Sequence, residues 1–289
     1  MTKIRRAQEI LPATGKLGVL IPGIGAVSTT MLAGVFAALK NTARPIGSLT
    51  QKGRIRLGKR PEQRMVPIKD FVPLAPLSEL VFGGWDLFEG NAFQTASAAE
   101  VLTPQDLEKV RPELESIRPM AAVSDPAFTR VLKGNHVKKG ANKYELAEQV
   151  IRDIEQFRQE HKVDRLVMCW AASTEAYAPF GEVHESVASF EAGLKANHPG
   201  ISPSQIYAYA ALKLGIPYIN GAPQPTSECR ALQELAQQNQ VPICGKDFKT
   251  GQTLMKTIIA PGLQSRLLGV SGWFSTNILG NRDGEVLDD

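Results

Sequence analysis

The stretch KLGVLIPGIGAVSTTMLAGVFAALK, residues 16–40, decides the fold of this chain. Its first part, residues 16–21, is a short apolar run that predicts a buried strand. A glycine-containing loop follows at residues 22–28, and residues 29–40 then carry apolar side chains at helical spacing. A strand, a glycine turn and a helix in this order predict the first unit of an α/β domain that binds a nucleotide.

Strands and helices continue to alternate along the rest of the chain. Four further apolar runs predict strands, at residues 80–91 (ending in a loop), 164–170, 216–219 and 241–244. Helical patterns lie between and after them, at residues 103–114, 143–161, 202–214, 228–239 and 252–259, the last broken near Pro261 and Gly262. Residues 44–72 are basic and contain proline, which indicates an excursion from the sheet. We therefore expect an α/β fold with a Rossmann-like, doubly wound parallel sheet.

Composition narrows the class of protein. With 43% hydrophobic and 21% charged residues among 289, the chain can build one large or two medium domains. Three cysteines without CxxC spacing, a charged N-terminus and no bilayer-length apolar run predict a reduced, cytoplasmic protein outside the membrane. The four histidines fit neither a catalytic triad nor a metal-ligand spacing. The net charge is only +4, and we expect its one basic cluster to be a solvated loop: Lys52, Arg54, Arg56, Lys59, Arg60 and Arg64.

The glycine turn predicts a site for a pyrophosphate, although its pattern is incomplete. Gly23 and Gly25 would leave free backbone amides at the helix start, where the helix dipole favours negative charge. The third glycine of the generic fingerprint is replaced by Ser28, so a plain tight turn stays an alternative. The fingerprint also asks for an acid about 20 positions further on. Residues 47–50 supply none and Lys52 follows, which by itself favours NADP.

Six motifs, in order, make the chain resemble the myo-inositol-phosphate synthase family over residues 16–289. They are LIPGIGAVSTTMLAG (20–34), GGWD (83–86), WAASTEAY (170–177), YINGAPQPT (218–226), GKDFKTGQT (245–253) and NILGNRDGEVL (277–287). The resemblance implies an NAD-binding Rossmann-like domain at residues 1–225 and a partial α+β catalytic and tetramerisation domain at residues 226–289. Because family chains continue with a further lysine-bearing loop, we expect this chain to be an incomplete synthase.

The resemblance also implies which residues bind the cofactor. Asp86 of GGWD would hold the adenosine ribose, which makes the cofactor NAD rather than NADP. The loop after the first strand would hold the pyrophosphate through small residues and backbone amides. The residues implied for these and the remaining cofactor contacts are Gly23, Gly25, Ala26, Val27, Ser28, Ala171, Ala172, Ser173, Thr174, Gly221, Ala222, Asp247, Thr250, Asn281 and Asp283.

The activity that the resemblance implies is ring closure of D-glucose 6-phosphate to 1D-myo-inositol 3-phosphate, a step of inositol and phospholipid biosynthesis. Carbon 5 is oxidised by NAD, carbon 6 loses a proton, an aldol step joins it to carbon 1, and the hydride returns. Lys249 and Lys256 match family lysines and stand seven residues apart, so they would share a face if one helix includes both. Lysines can neutralise a phosphate, stabilise developing oxyanions and shuttle protons.

Two alternatives remain open at the level of sequence. An ordinary NAD-dependent dehydrogenase would convert NAD to NADH without returning the hydride. An inactive fragment would bind NAD as an assembly subunit of the homotetramer implied by the family, with no turnover. Turnover of glucose 6-phosphate with catalytic amounts of NAD separates these alternatives from a synthase.

Overall fold

A computed structural model describes residues 14–248 and 251–274. Its strands are β1 Leu17–Pro22, β2 Arg54–Arg56, β3 Met65–Pro67, β4 Leu80–Asp86, β5 Met120–Ala121, β6 Arg165–Trp170, β7 Tyr218–Asn220 and β8 Ile243–Cys244. Six of them form one parallel sheet in the order β5-β4-β1-β6-β7-β8. If these six strands are numbered 1 to 6 in sequence order, their order in the sheet is 3-2-1-4-5-6, which is that of a doubly wound nucleotide-binding sheet. The predicted fold class is confirmed.

Helices cover both faces of this sheet. They are α1 Ala26–Leu39, α2 Leu49–Lys52, α3 Ile68–Phe71, α4 Ala92–Ala99, α5 Pro104–Glu108, α6 Arg111–Ser116, α7 Lys143–His161, α8 Val187–Lys195, α9 Pro203–Lys213, α10 Arg230–Gln238 and α11 Gly251–Ser265. One core packs α7, α9 and α10 against one face, and a second packs α1, α4 and α6 against the other. α9 lies deepest, since its residues from Pro203 to Leu212 are all buried.

The central strand, β1, contributes to both cores because successive side chains of a strand point to opposite faces. Leu20 is fully buried in the same core as Met168 of β6, whereas Ile21 packs in the other core with Phe82 of β4. β1 pairs with β4 on one side and with β6 on the other, so the direction of chain winding reverses between β1 and β6. Ligands of open α/β sheets bind at such a switch point.

The predicted excursion from the sheet is confirmed. Between α1 and β4 the chain forms α2, α3 and an antiparallel ribbon of β2 and β3, all outside the six-stranded sheet. The six residues of the basic cluster are exposed there, as expected. The insertion separates α1 from β4 in sequence, but β4 remains the second strand of the sheet.

Two predicted helices differ in the structure. Residues 103–114 form two short helices, α5 and α6, because Pro112 has no N–H and its ring would clash with the preceding turn of a continuous helix. The predicted break near Pro261 and Gly262 is wrong, because α11 runs through Pro261 to Ser265. Thr257, whose carbonyl loses its helical partner to Pro261, is exposed, so water can satisfy it.

The prediction did not include α4 and β5. β8 pairs with β7, so the sheet extends beyond residue 225, and the division into domains at that residue stays a prediction. No helix within residues 14–248 and 251–274 has the length and apolar character needed to cross a membrane.

Candidate cofactor site

Four of the predicted cofactor segments lie at the carboxyl edge of the sheet, each where a parallel strand ends. Gly23 follows β1, Asp86 is the last residue of β4, Ala171 follows β6 and Gly221 follows β7. Backbone hydrogen bonds extend the strand pairing into these segments. The N–H of Ala171 donates to the carbonyl of Pro22 at 2.9 Å, and that of Gly221 donates to the carbonyl of Trp170 at 2.9 Å. The structure therefore brings the four segments together around the switch point.

Gly23 occupies a position that other residues cannot easily take. Its φ is +94°, a conformation that favours glycine. Its N–H donates to the carbonyl of Trp85 at 2.8 Å, and a β-carbon at this position would collide with the backbone of Ala172. The glycine therefore allows the ends of β1, β4 and β6 to lie close together.

Helix α1 presents its N-terminus to the same edge. Gly25 is its N-cap in an extended conformation, and within the described part of the chain no side chain caps this end. The first amides of a helix have no carbonyl partner in their own helix, and the helix dipole adds partial positive charge. Ala26, Val27 and Ser28 carry these amides, so they can hold a pyrophosphate through backbone N–H groups.

Ser28 accounts for the incomplete glycine fingerprint. Its side chain is buried, and its Oγ donates a hydrogen bond of 2.5 Å to the carbonyl of Gly23. The hydroxyl therefore stabilises the glycine turn through a buried hydrogen bond. The hydroxyl proton of Ser28 is therefore used within the turn, and its backbone N–H is the donor that can meet a cofactor.

Asp86 lies at the end of the second strand of the sheet, where the generic fold places the acid for the ribose. Its carboxylate accepts a hydrogen bond of 3.1 Å from the N–H of Phe88, and its side chain is half-buried. The preceding Trp85 is fully buried and donates its indole N–H to Asp153 of α7 at 2.6 Å. The strand end that carries Asp86 is thus firmly anchored.

The loop after β6 contains Ala171, Ala172, Ser173 and Thr174, all of which are half-buried. It crosses the switch point next to Gly23. The next residue, Glu175, is buried and was not singled out from the sequence. Burial raises the pKa of its carboxyl to about 7. A signal for it exists in the motif WAASTEAY, where a lone carboxyl follows small residues that come straight after a buried strand.

The loops after β7 and β8 meet each other. The N–H of Phe248 donates to the carbonyl of Gly221 at 3.0 Å, and a β-carbon on Gly221 would collide with the Phe248 ring. Ala222 is buried, and its N–H donates to the Asn220 side chain at 3.2 Å. Asp247 lies here with a φ of +114°, a strained conformation of the kind that clusters at ligand sites.

The remaining predicted residues are only partly covered. Lys249, Thr250, Asn281 and Asp283 lie outside the described residues, so their roles stay predictions. Lys256 is exposed on α11, and its Nζ lies 5.4 Å from the centre of the Trp273 ring.

The sheet order, the uncapped helix after a glycine turn and the acid at the end of the second strand define a dinucleotide-binding protein of the Rossmann class. A family model named for NAD binding and described as myo-inositol-1-phosphate synthase matches residues 17–279. The chain belongs to the myo-inositol-1-phosphate synthase family, and its cofactor is NAD. The glycine cradle and the free amides of α1 suit a pyrophosphate, and the Asp86 carboxylate suits the two ribose hydroxyls of NAD.

Individual relatives agree with this assignment. Inositol-3-phosphate synthase 1 of Bacteroides thetaiotaomicron is 51% identical over 98% of this chain and 66% of its own length. Inositol-3-phosphate synthase of Brassica napus is 36% identical over 93% of this chain and 56% of its own. The crystal structure of inositol-3-phosphate synthase from Caenorhabditis elegans matches with a TM-score of 0.81 at 32% identity, over 88% of this chain and 53% of that one. The chain thus spans between about half and two thirds of these relatives.

A more distant structure shares the fold alone. It is a myo-inositol-1-phosphate synthase-related protein from Thermotoga maritima, with a TM-score of 0.59 at 19% identity.

Proposed function

We propose that this protein is an inositol-3-phosphate synthase, the NAD-dependent isomerase that converts D-glucose 6-phosphate to 1D-myo-inositol 3-phosphate. The observation that carries the proposal is the convergence of four motif-bearing loops at the switch point of the sheet. These loops occur in a chain 51% identical to the Bacteroides synthase. The proposal includes a cytoplasmic homotetramer that serves inositol and phospholipid biosynthesis.

The described residues supply the cofactor half of such a site. The amides of Ala26, Val27 and Ser28 would hold the pyrophosphate, and Asp86 would accept hydrogen bonds from the adenosine ribose. The loops at Ala171 and Gly221 would allow a close approach of the dinucleotide because their residues are small. NAD supplies a hydride acceptor and donor, so oxidation and reduction of the sugar cancel over one turnover.

The substrate half rests on lysines. Glucose 6-phosphate brings a phosphate dianion, and the enolate and alkoxide oxygens that develop during ring closure need positive charge or hydrogen-bond donors. We assign these roles to Lys249 and Lys256, which the family resemblance indicates. A lysine that shuttles protons also needs surroundings that exclude water, because burial favours its neutral form.

A second candidate function, NAD binding without turnover, is favoured by one observation. Lys256 is exposed in this chain, on a helix that bears exposed Leu254, Met255 and Ile258. A synthase site would have to cover this helix with further protein. In the second candidate this helix stays uncovered, so the protein binds NAD without turnover.

One experiment separates these functions. The 289-residue chain and a version extended by the C-terminal remainder of the Bacteroides synthase are incubated with glucose 6-phosphate and catalytic NAD. Inositol phosphate is then measured together with NADH. Inositol phosphate formed without accumulation of NADH supports the synthase. Stoichiometric NADH would identify a dehydrogenase, and NAD binding without product from either version would favour the second candidate.

A further inference from the structure

A buried carboxylate connects two of the cofactor loops through one serine. Glu175 directly follows the loop at residues 171–174 and is only 5% exposed. Its Oε1 accepts a hydrogen bond of 2.7 Å from the backbone N–H of Ser204, and its Oε2 accepts one of 2.5 Å from the Ser204 hydroxyl. The Ser204 Oγ lies 2.6 Å from the hydroxyl of Thr226, which belongs to the loop after β7. Glu175, Ser204 and Thr226 are called the carboxylate bridge below.

The directions of these hydrogen bonds follow from their chemistry. An ionised carboxylate only accepts, so the Ser204 hydroxyl must donate to Glu175. Its single proton is then used, so Ser204 must accept from Thr226. One ionised group thereby orients the hydroxyl of Ser204 on α9 and, through it, that of Thr226 on the loop after β7. If Glu175 is protonated, its own O–H can also donate a hydrogen bond, so the donor and acceptor roles in the bridge are no longer fixed.

The bridge is attached to α9, whose residues from Pro203 to Leu212 are all buried. Ser204 is in the first turn of α9, where backbone N–H groups lack helical partners and the helix dipole favours an anion. Ser204 is fully buried, and the Ser202 hydroxyl also supports the carboxylate. The loops after β6 and β7 are therefore both attached to the N-terminus of α9.

Joining two loops through a buried carboxylate costs free energy, because the charged form loses its hydration. Apolar packing would stabilise the same region at lower cost. The geometry, with one anion serving two loops at the switch point, points to a requirement for fixed loop positions.

We infer that Glu175 is a positioning residue, which holds the loop at residues 171–174 and the loop before Thr226 at the separation that NAD requires. This inference rests on the cofactor half of the proposed function. It does not require Glu175 to touch the cofactor. Removal of the carboxylate should weaken NAD binding more than it weakens the fold.

Titration of the bridge provides a readout that a merely structural role would not alter. The ionisable groups near Glu175 are Asp125, from the loop between β5 and α7, and Tyr218 on β7. Asp125 is paired with Lys143 of α7 at 3.0 Å. Since the ionised form of Glu175 orders both loops, NAD should bind more tightly to the wild-type chain above the pKa of Glu175, about 7, than below it.

The test measures the Kd for NAD by calorimetry between pH 6 and 8, and thermal stability in parallel, on the full chain. Glu175→Gln should raise the Kd on the order of tenfold and abolish its pH dependence, the scale of one lost charged hydrogen bond. Thr226→Val should raise it by less, and the two changes together should raise it by less than the product. Glu191→Gln is the matched control, since Glu191 accepts from Tyr209 and Lys213, each at 2.7 Å, away from the loops.

Wild-type Kd values in folded Glu175→Gln and Thr226→Val would overturn the inference. It would also be overturned if Glu191→Gln raised the Kd as much as Glu175→Gln does, or if the wild-type chain bound no NAD. If Glu175→Gln does not fold, the Kd of Thr226→Val decides: a raised value supports the bridge and an unchanged one refutes it. A chain that binds NAD as described, while the extended protein forms no inositol phosphate, would refute the proposed activity and leave the positioning role intact.

Discussion

The backbone of Ala172 occupies the space that a side chain on Gly23 would need. The hypothetical β-carbon would also lie only 2.8 Å from the carbonyl carbon of Ala171. Because both partners are backbone atoms, they cannot move aside as a flexible side chain would. The close approach of the loops after β1 and β6 thus fixes the residue type at position 23.

We expect Gly23→Ala to lower the free energy of unfolding by about 1–3 kcal/mol, since it adds a clash to a strained φ. Gly34→Ala is the control, because Gly34 lies inside α1 with nothing near its missing side chain. That change should raise stability by about 0.5–1 kcal/mol. Urea unfolding of both variants measures the difference. Equal stability of the two would show that the close approach is relaxed in solution.

Gly25→Val should abolish NAD binding while the fold survives. Gly25 has a φ of −89°, which valine can adopt, so the backbone gives no reason for unfolding. The added side chain would instead occupy the space of the pyrophosphate. Calorimetry with NAD, beside circular dichroism of the same sample, checks both halves of this expectation. Unchanged affinity for NAD would place the pyrophosphate elsewhere.

Asp86→Ala should weaken NAD binding by roughly 1–3 kcal/mol, the scale of a lost partner for a buried polar group. Asp70→Ala removes the same charge from exposed α3 and should leave the Kd unchanged. The unaltered chain should also prefer NAD to NADP, because a carboxylate repels the 2′-phosphate. A preference for NADP would contradict the role of Asp86.

The buried carboxyl of Glu175 should make stability depend on pH. Its pKa is about 7 in the folded chain, above the ordinary value of 4.5. Between these values the folded state binds more protons than the unfolded state, so the unfolding free energy falls as pH rises. The fall should begin near pH 4.5 and level off above pH 7. Glu175→Gln should remove this component from urea titrations at a series of pH values, and an identical pH dependence in both proteins would contradict it.

Substitutions of Lys249 and Lys256 separate a proton shuttle from a phosphate ligand. Arginine keeps the charge but cannot release its proton, and methionine keeps the length without the charge. A shuttle should lose turnover with either replacement, whereas a phosphate ligand should retain part of it with arginine. Product formation is measured on the extended chain, with NAD binding in parallel. Lost NAD binding in Lys256→Met, or full activity of both methionine variants, would assign the catalytic role to other lysines.

The position of Asp86 shows what sequence spacing can and cannot predict. The generic fingerprint searches for an acid about 20 residues after the glycine turn, where this chain has the exposed insertion with Lys52. The insertion makes no strand of the main sheet, so counting along the chain fails although the spatial arrangement is the generic one. The family motif GGWD instead predicts Asp86, which lies at the end of the second strand of the sheet.

Periodicity identified the long elements and missed those that depend on distant partners. The helix predicted at residues 143–161 is α7, and its buried residues Ala147, Val150 and Ile154 recur at helical spacing. β5 has only two residues, and its pairing with Trp85 and Asp86 creates it, so no local pattern marks it. Glu175 was missed for a related reason, since its burial depends on α9 and on the loop after β7.

The central place of β1 has a consequence for synthesis of the chain. Leu17 pairs with both Leu80 and Arg165, so β1 has to wait until β6 has been synthesised before its second edge is covered. Non-local pairing of this kind slows folding, and an open strand edge is a template for aggregation. Until β6 has emerged, the nascent chain would present that edge to chaperones. Truncations that stop before Trp170 should therefore be far more prone to aggregation than those that include it.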